Sequence, residues 1–169
     1  MIGRSETAIK WALFAAATLV CLLAQGFVLQ YITVLGVMPF LYPVLPALVG
    51  MYEGALPGTV YGLILGVACD LTIPGAIPCL YTLAFPAAGL CAGLIAKSWL
   101  PAGVLCALAA STVSFALTDA LRCLVLAFSG QASWLAGLVA AKETALTLPF
   151  VLPACLLFRQ VHRKCHFYD

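Results

Sequence analysis

Charge is what this sequence has least of: 8% of its 169 residues are Asp, Glu, Lys or Arg, against 64% hydrophobic residues. A soluble globular domain carries about 25% charged residues, so this scarcity, with a mean hydropathy of +1.13, excludes that class. The chain reads as an integral membrane protein. Apolar runs long enough for a hydrocarbon core about 30 Å thick, at about 1.5 Å per helical residue, fill nearly all of it and leave no stretch for a separate soluble domain. Catalytic signatures are missing too. There is no GxSxG, no HExxH, no phosphate-binding loop and no histidine within an apolar run, so nothing has the layout of a hydrolase or transferase, and no enzyme and no cofactor are expected. The eight cysteines (21, 69, 79, 91, 106, 123, 155, 165) include no CxxC pair, and all but the last lie in apolar segments where a thiol acts as a small hydrophobe. In the tail "VHRKCHFYD", His162, Cys165 and His166 offer fewer ligands than the four a structural metal site normally takes, so a basic interfacial tail is the favoured reading. A net charge of +2, with basic residues mostly at the two ends, leaves no nucleic-acid footprint.

What is present is a series of apolar segments separated by Pro/Gly-rich turns. Arg4 and Lys10 precede an apolar run from Trp11 to Val28. That order suits a signal peptide, but the run exceeds the usual h-region and "LLAQG" is a poor cleavage site, so an uncleaved first helix is expected. The second segment follows "VMPFLYPVLP", whose prolines at 39, 43 and 46 disfavour a regular helix and predict an irregular or kinked element. A short helix to about Gly50, a turn in "EGALPG" and a short helix from Thr59 to Asp70 come next; further helices are expected over 79–96, 102–128 and 134–158. The expected fold is therefore all-α, one polytopic domain over 1–169 with six transmembrane helices. Arg4, Lys10, Lys97, Arg159, Arg163 and Lys164 all fall on one side, which by the positive-inside rule places both termini in the cytoplasm.

The stretch "GMYEGALPGTVYGLILGVACD" repeats glycine at 50, 54, 58, 62 and 66 and ends at Asp70. In lipid, helices associate through close backbone packing, and small residues four apart supply a flat strip for it. Gly58, Gly62 and Gly66 form such a strip on the third helix, and Asp70 shares their face. Gly50 and Gly54 belong to the preceding helix and turn, so they extend the series partly by coincidence. The strip either packs the protein's own helices or meets another membrane protein. Gly89 with Gly93, and Ala12 with Ala16, make two further small-xxx-small faces.

Helix five carries Asp119 and Arg122 three residues apart, and helix six carries Lys142 and Glu143. Counted from the outer turn, Asp119 and Lys142 lie at similar depth on antiparallel neighbours and form the expected pair. Ionisable groups within a span are functional candidates by default; the alternative is an internal ion pair fixing helix register. A transmembrane proton path would need such groups across the bilayer, whereas these gather in its outer half.

The order of features resembles the bacterial rod shape-determining MreD family: a basic start, a proline-bearing segment before helix two, "GTVYGLILGVACDL" with its Gly-x-x-x-Asp ending, the aspartate of "LTDAL", and a last helix running into "LLFRQVHRK". Gly62, Gly66, Asp70 and Asp119 fall on the family's pattern positions. The chain departs from that pattern after Asp70, where Ile77 and Pro78 stand in place of a Leu-Gly step. The resemblance implies a non-enzymatic scaffold subunit of the cell-elongation machinery in the bacterial cytoplasmic membrane. It further implies binding to the bitopic protein MreC, with MreB, RodA and a class B penicillin-binding protein as further partners, and a fold like the S component of energy-coupling-factor vitamin transporters. The alternative function is that of an S component itself, with Ala12 and Ala16 facing a coupling subunit. Such proteins line an outer pocket with polar and aromatic groups, for which this chain offers chiefly Tyr31, Tyr42, Tyr81 and Trp134.

Overall fold

In a computed structural model, residues 4–33, 36–72, 77, 79–128, 130 and 134–166 are described. They form six α-helices: α1 (Arg4–Phe27), α2 (Val44–Glu53), α3 (Ala55–Thr72), α4 (Leu80–Ser98), α5 (Val104–Phe128) and α6 (Trp134–His166), with a 3₁₀ turn at Leu29–Tyr31. All except α2 are long and apolar enough to cross a membrane. The chain is a multi-pass helical membrane protein by that measure. Most of the turns expected in "LTIPGAIP" and "SGQAS", and the side chains of Trp134, Cys165 and His166, lie outside the described residues.

Two boundaries differ from expectation for identifiable reasons. The turn placed over "EGALPG" shrinks to Gly54, whose φ of 100° is open to glycine, and α3 starts at once at Ala55 with Pro57 in its first turn, where a missing N–H costs nothing. Helix α6, which contains Pro149 and Pro153, does not stop at Phe158 but carries the basic tail on to His166, because no glycine or proline follows Phe158 to end it.

At ten residues, α2 reaches about 15 Å, half of a bilayer core. It is also the centre of the molecule: every residue from Val44 to Met51 is buried, and α2 packs against α3, α4, α5 and α6. The non-helical segment 36–43 leads into it. Irregular backbone is tolerated at membrane depth only where protein satisfies its polar groups, and three helices do so here. The Gln25 amide of α1 donates to the Pro39 carbonyl (2.8 Å) and accepts from the Leu41 N–H (3.0 Å). Thr147 of α6 accepts from the Phe40 N–H at 3.0 Å, and Ser114 of α5 donates to the Pro43 carbonyl at 2.5 Å. Gln25, Ser114 and Thr147 are all buried. Pro39 and Pro43 thus fall in the break, Pro46 is accommodated in the first turn of α2, and three polar side chains from elsewhere make the break stable.

Around α2 the core is closed by Phe14 of α1, Phe85 of α4 and Phe158 of α6, all fully buried, with the Phe14 and Phe158 rings 5.9 Å apart. The Thr18 hydroxyl, bonded to the Phe14 carbonyl at 2.7 Å, also pairs with the Tyr61 hydroxyl and ties α1 to α3.

Candidate functional site

The glycine strip of α3 is occupied by the protein itself. A Cβ on Gly62 would meet the Phe85 carbonyl, with its carbon 2.7 Å away, and one on Gly66 would meet the Tyr81 carbonyl, with Thr82 Cα 2.9 Å away. Gly58 faces both Gly50 and Gly89, so α2, α3 and α4 touch backbone to backbone at one point. Gly93 closes on Ala55 in the same way. The partner offered to this face by the sequence is therefore answered from within: α4 covers Gly58, Gly62 and Gly66. Gly50 and Gly54 also turn out to be more than a coincidental extension of the series. Gly54 makes the fold-back and Gly50 lets α2 lie against Gly89 of α4, while Gly58 gives the backbone of Gly50 its room on α3.

Asp70 closes the same seam at its far end, away from the basic termini. Its carboxylate accepts from the Tyr81 N–H (3.2 Å), the Thr82 N–H (2.8 Å) and the Thr82 hydroxyl (2.5 Å). These are the first N–H groups of α4, which its own N-cap residue Cys79 leaves without a side-chain acceptor. A negative charge at a helix N-terminus is further favoured by the helix dipole. The charge that ends the glycine series thus caps the neighbouring helix.

From Tyr81 the polar chain continues inward. The Tyr81 ring lies beside the Arg122 guanidinium, and Arg122 faces two carboxylates, Asp119 on its own helix at 3.8 Å and Glu143 on α6 at 3.7 Å. Arg122, not Lys142, is therefore the cation that Asp119 uses. Equal depth was not sufficient for the expected pair: Lys142 lies one helical position from Glu143 and is turned to the exposed face of α6. Asp119 and Glu143 stand nine residues from the far ends of their helices, about 14 Å down the axis. An ionised group at the centre of a span costs about 2.5–3.5 kcal/mol on insertion scales, and sharing one guanidinium offsets part of this for both carboxylates.

A second cluster, at the basic end, was not foreseen. Glu53, the last residue of α2, has a side chain only 7% exposed and is held between Lys10 of α1 and His162 of α6, with His162 Nδ1 at 3.1 Å. The His162 ring stacks on Tyr52 at 5.2 Å, and the Tyr52 hydroxyl reaches the Cys155 sulfur at 3.4 Å. The signal available in the sequence was an acid beside a glycine turn, on the side where most of the charges are basic. His162, considered above as part of a tail metal set, is engaged with this carboxylate.

Comparison with protein-family models, with curated proteins and with solved structures gave no match. The site is thus assigned from its own geometry. Two of the three small-residue faces, Gly58–Gly62–Gly66 and Gly89–Gly93, are buried against each other, while Ala12 and Ala16 on α1 are exposed together with Ala15, Leu19 and Val20. Of the three small-residue faces, the α1 face toward the basic end is thus the exposed one, and the charge cluster at the α5–α6 seam is partly exposed as well.

Proposed function

We propose that this chain is a non-enzymatic membrane scaffold subunit of the kind found in the MreD family. In this reading it sits in the bacterial cytoplasmic membrane with both termini in the cytoplasm. It captures the bitopic protein MreC and, through it, joins MreB, RodA and a class B penicillin-binding protein in lateral wall synthesis. The observation that carries the reading is the exposed Ala12–Ala16 strip on α1, a flat surface at four-residue spacing that admits a single partner helix at close range. The sequence pattern ending in Asp70, together with Asp119, supports the family assignment.

The test is co-expression of the tagged chain with the MreC-like protein of the same genome, followed by size-exclusion chromatography in detergent. A stoichiometric complex is expected. Two well-folded proteins that elute apart reject this function. A second reading, an S component of an energy-coupling-factor transporter, would turn the same Ala12–Ala16 strip to a coupling subunit, and one further observation favours it: Phe40 lies 4.9 Å from Tyr42 and 5.9 Å from Tyr81, an aromatic group at the far end of the bundle of the kind that lines a ligand site. Specific vitamin binding by the purified chain would establish that reading in place of the first.

A further inference from the structure

We propose that a second copy of this chain docks on the outward face of the α5–α6 seam, with Lys142 of each copy reaching the Asp119 and Glu143 carboxylates of the other. Charge in the seam is out of balance. Arg122 serves both carboxylates, at 3.8 and 3.7 Å, so the seam holds one negative charge more than its own cation balances. The balancing cation is close in sequence and wrongly directed: Lys142 is exposed on α6, and among the described residues no ion pair joins it to either carboxylate. The four residues sum to zero, yet a bare positive charge stands on the outside and an excess negative charge in the seam.

Depth makes this costly for a lone chain. Lys142 lies eight residues into a helix that begins at Trp134, about 12 Å below its far end. An ammonium group exposed there must either bend toward the interface or find a carboxylate. Copies of one protein inserted in the same sense present equal depths to one another, and a two-fold axis along the membrane normal preserves them. Such an arrangement is isologous, so it brings both lysine–carboxylate contacts together in one step. The carboxylates are reachable, since the side chains of Asp119 and Glu143 keep 20% and 16% of their surface exposed.

The surface beside these charges permits the approach. Ala145 on α6 and Ala116 and Ala120 on α5 are exposed beside the charges, together with Leu138 and Val139 one turn from Lys142, so the two seams meet over a mixed surface of small and branched apolar side chains. This face is near the far end of the bundle, whereas the Ala12–Ala16 strip is toward the basic end. Self-association and capture of a different partner on α1 are separate events, and the inference does not rest on the scaffold reading.

The experiment counts copies of the full chain, fused to a fluorescent protein and held at low density in liposomes, by stepwise photobleaching. Wild type is expected to bleach predominantly in two steps and Lys142→Glu in one. Lys142→Gln, which keeps a long polar side chain but no charge, is expected to bleach mainly in one step and decides the matter if the glutamate variant fails to insert. Single-step bleaching of wild type overturns the proposal, including the case in which Lys142 variants lose a different membrane protein instead. Two-step bleaching that persists in the Lys142 variants overturns it as well, since the pairing would then run through another face.

Discussion

A methyl group added at Gly66 would press on the carbonyl oxygen of Tyr81 and lie 2.9 Å from Thr82 Cα. Both are main-chain atoms of a packed helix, so neither can swing aside as a side chain would. Gly66→Ala is therefore expected to cost about 1–3 kcal/mol, the usual penalty of overpacking. Gly137 gives the control, since a Cβ there meets nothing within 4 Å. Gly137→Ala should be neutral or stabilise by up to about 1 kcal/mol through helix propensity. Unfolding in mixed micelles of increasing sodium dodecyl sulfate fraction measures both. Asp70 teaches the same lesson about reading single residues: its place on the glycine face was legible, but its acceptors turn to the first N–H groups of α4. Which helix begins beside it is a property of the fold that spacing along α3 does not contain.

At the scale of elements, the broken second span separates what local sequence shows from what it hides. Prolines at 39 and 43 announce the irregular backbone, since each lacks an N–H to continue a helix, whereas Pro46 falls in the first turn of α2, where no N–H is needed. The groups that satisfy it, Gln25, Ser114 and Thr147, come from three other helices and look like ordinary polar residues in apolar runs. Replacing Gln25 with Leu leaves the Pro39 carbonyl and the Leu41 N–H without partners, a loss of about 1–3 kcal/mol for each buried group. The same micelle titration should show a destabilisation larger than that of Gly66→Ala, and no measurable loss would place the pin elsewhere. The charge cluster behaves likewise. Residue spacing brought Asp119 and Lys142 to one depth, but helix rotation about the axis decides pairing, and it turns Arg122 inward and Lys142 outward. Arg122→Ala should destabilise α5–α6 packing by about 1–3 kcal/mol, because two carboxylates lose their shared cation. Combining it with Asp119→Asn and Glu143→Gln should recover much of that loss, since neutral amides carry no charge into the membrane. Failure of the triple variant to recover would show that the guanidinium matters for shape, not charge.

For the whole molecule, composition and segment length gave a polytopic helical protein, and the structure agrees, with five helices long enough to span and a sixth buried as a half-span. The division of small-residue faces could not be read from the sequence, since glycine and alanine strips look alike until their neighbours are known. Two of the three strips close the α2–α3–α4 core, and the account's central claim is that the third, on α1, remains for a partner. The most direct test places leucine at Gly62 and Gly66 in one set of variants and at Ala12 and Ala16 in another. Resistance to unfolding and capture of the MreC-like protein are then measured separately. The glycine variants are expected to lose their fold, and the alanine variants to stay folded and lose capture. Glycine variants that remain folded yet fail to capture, or alanine variants that retain both properties, would contradict the account.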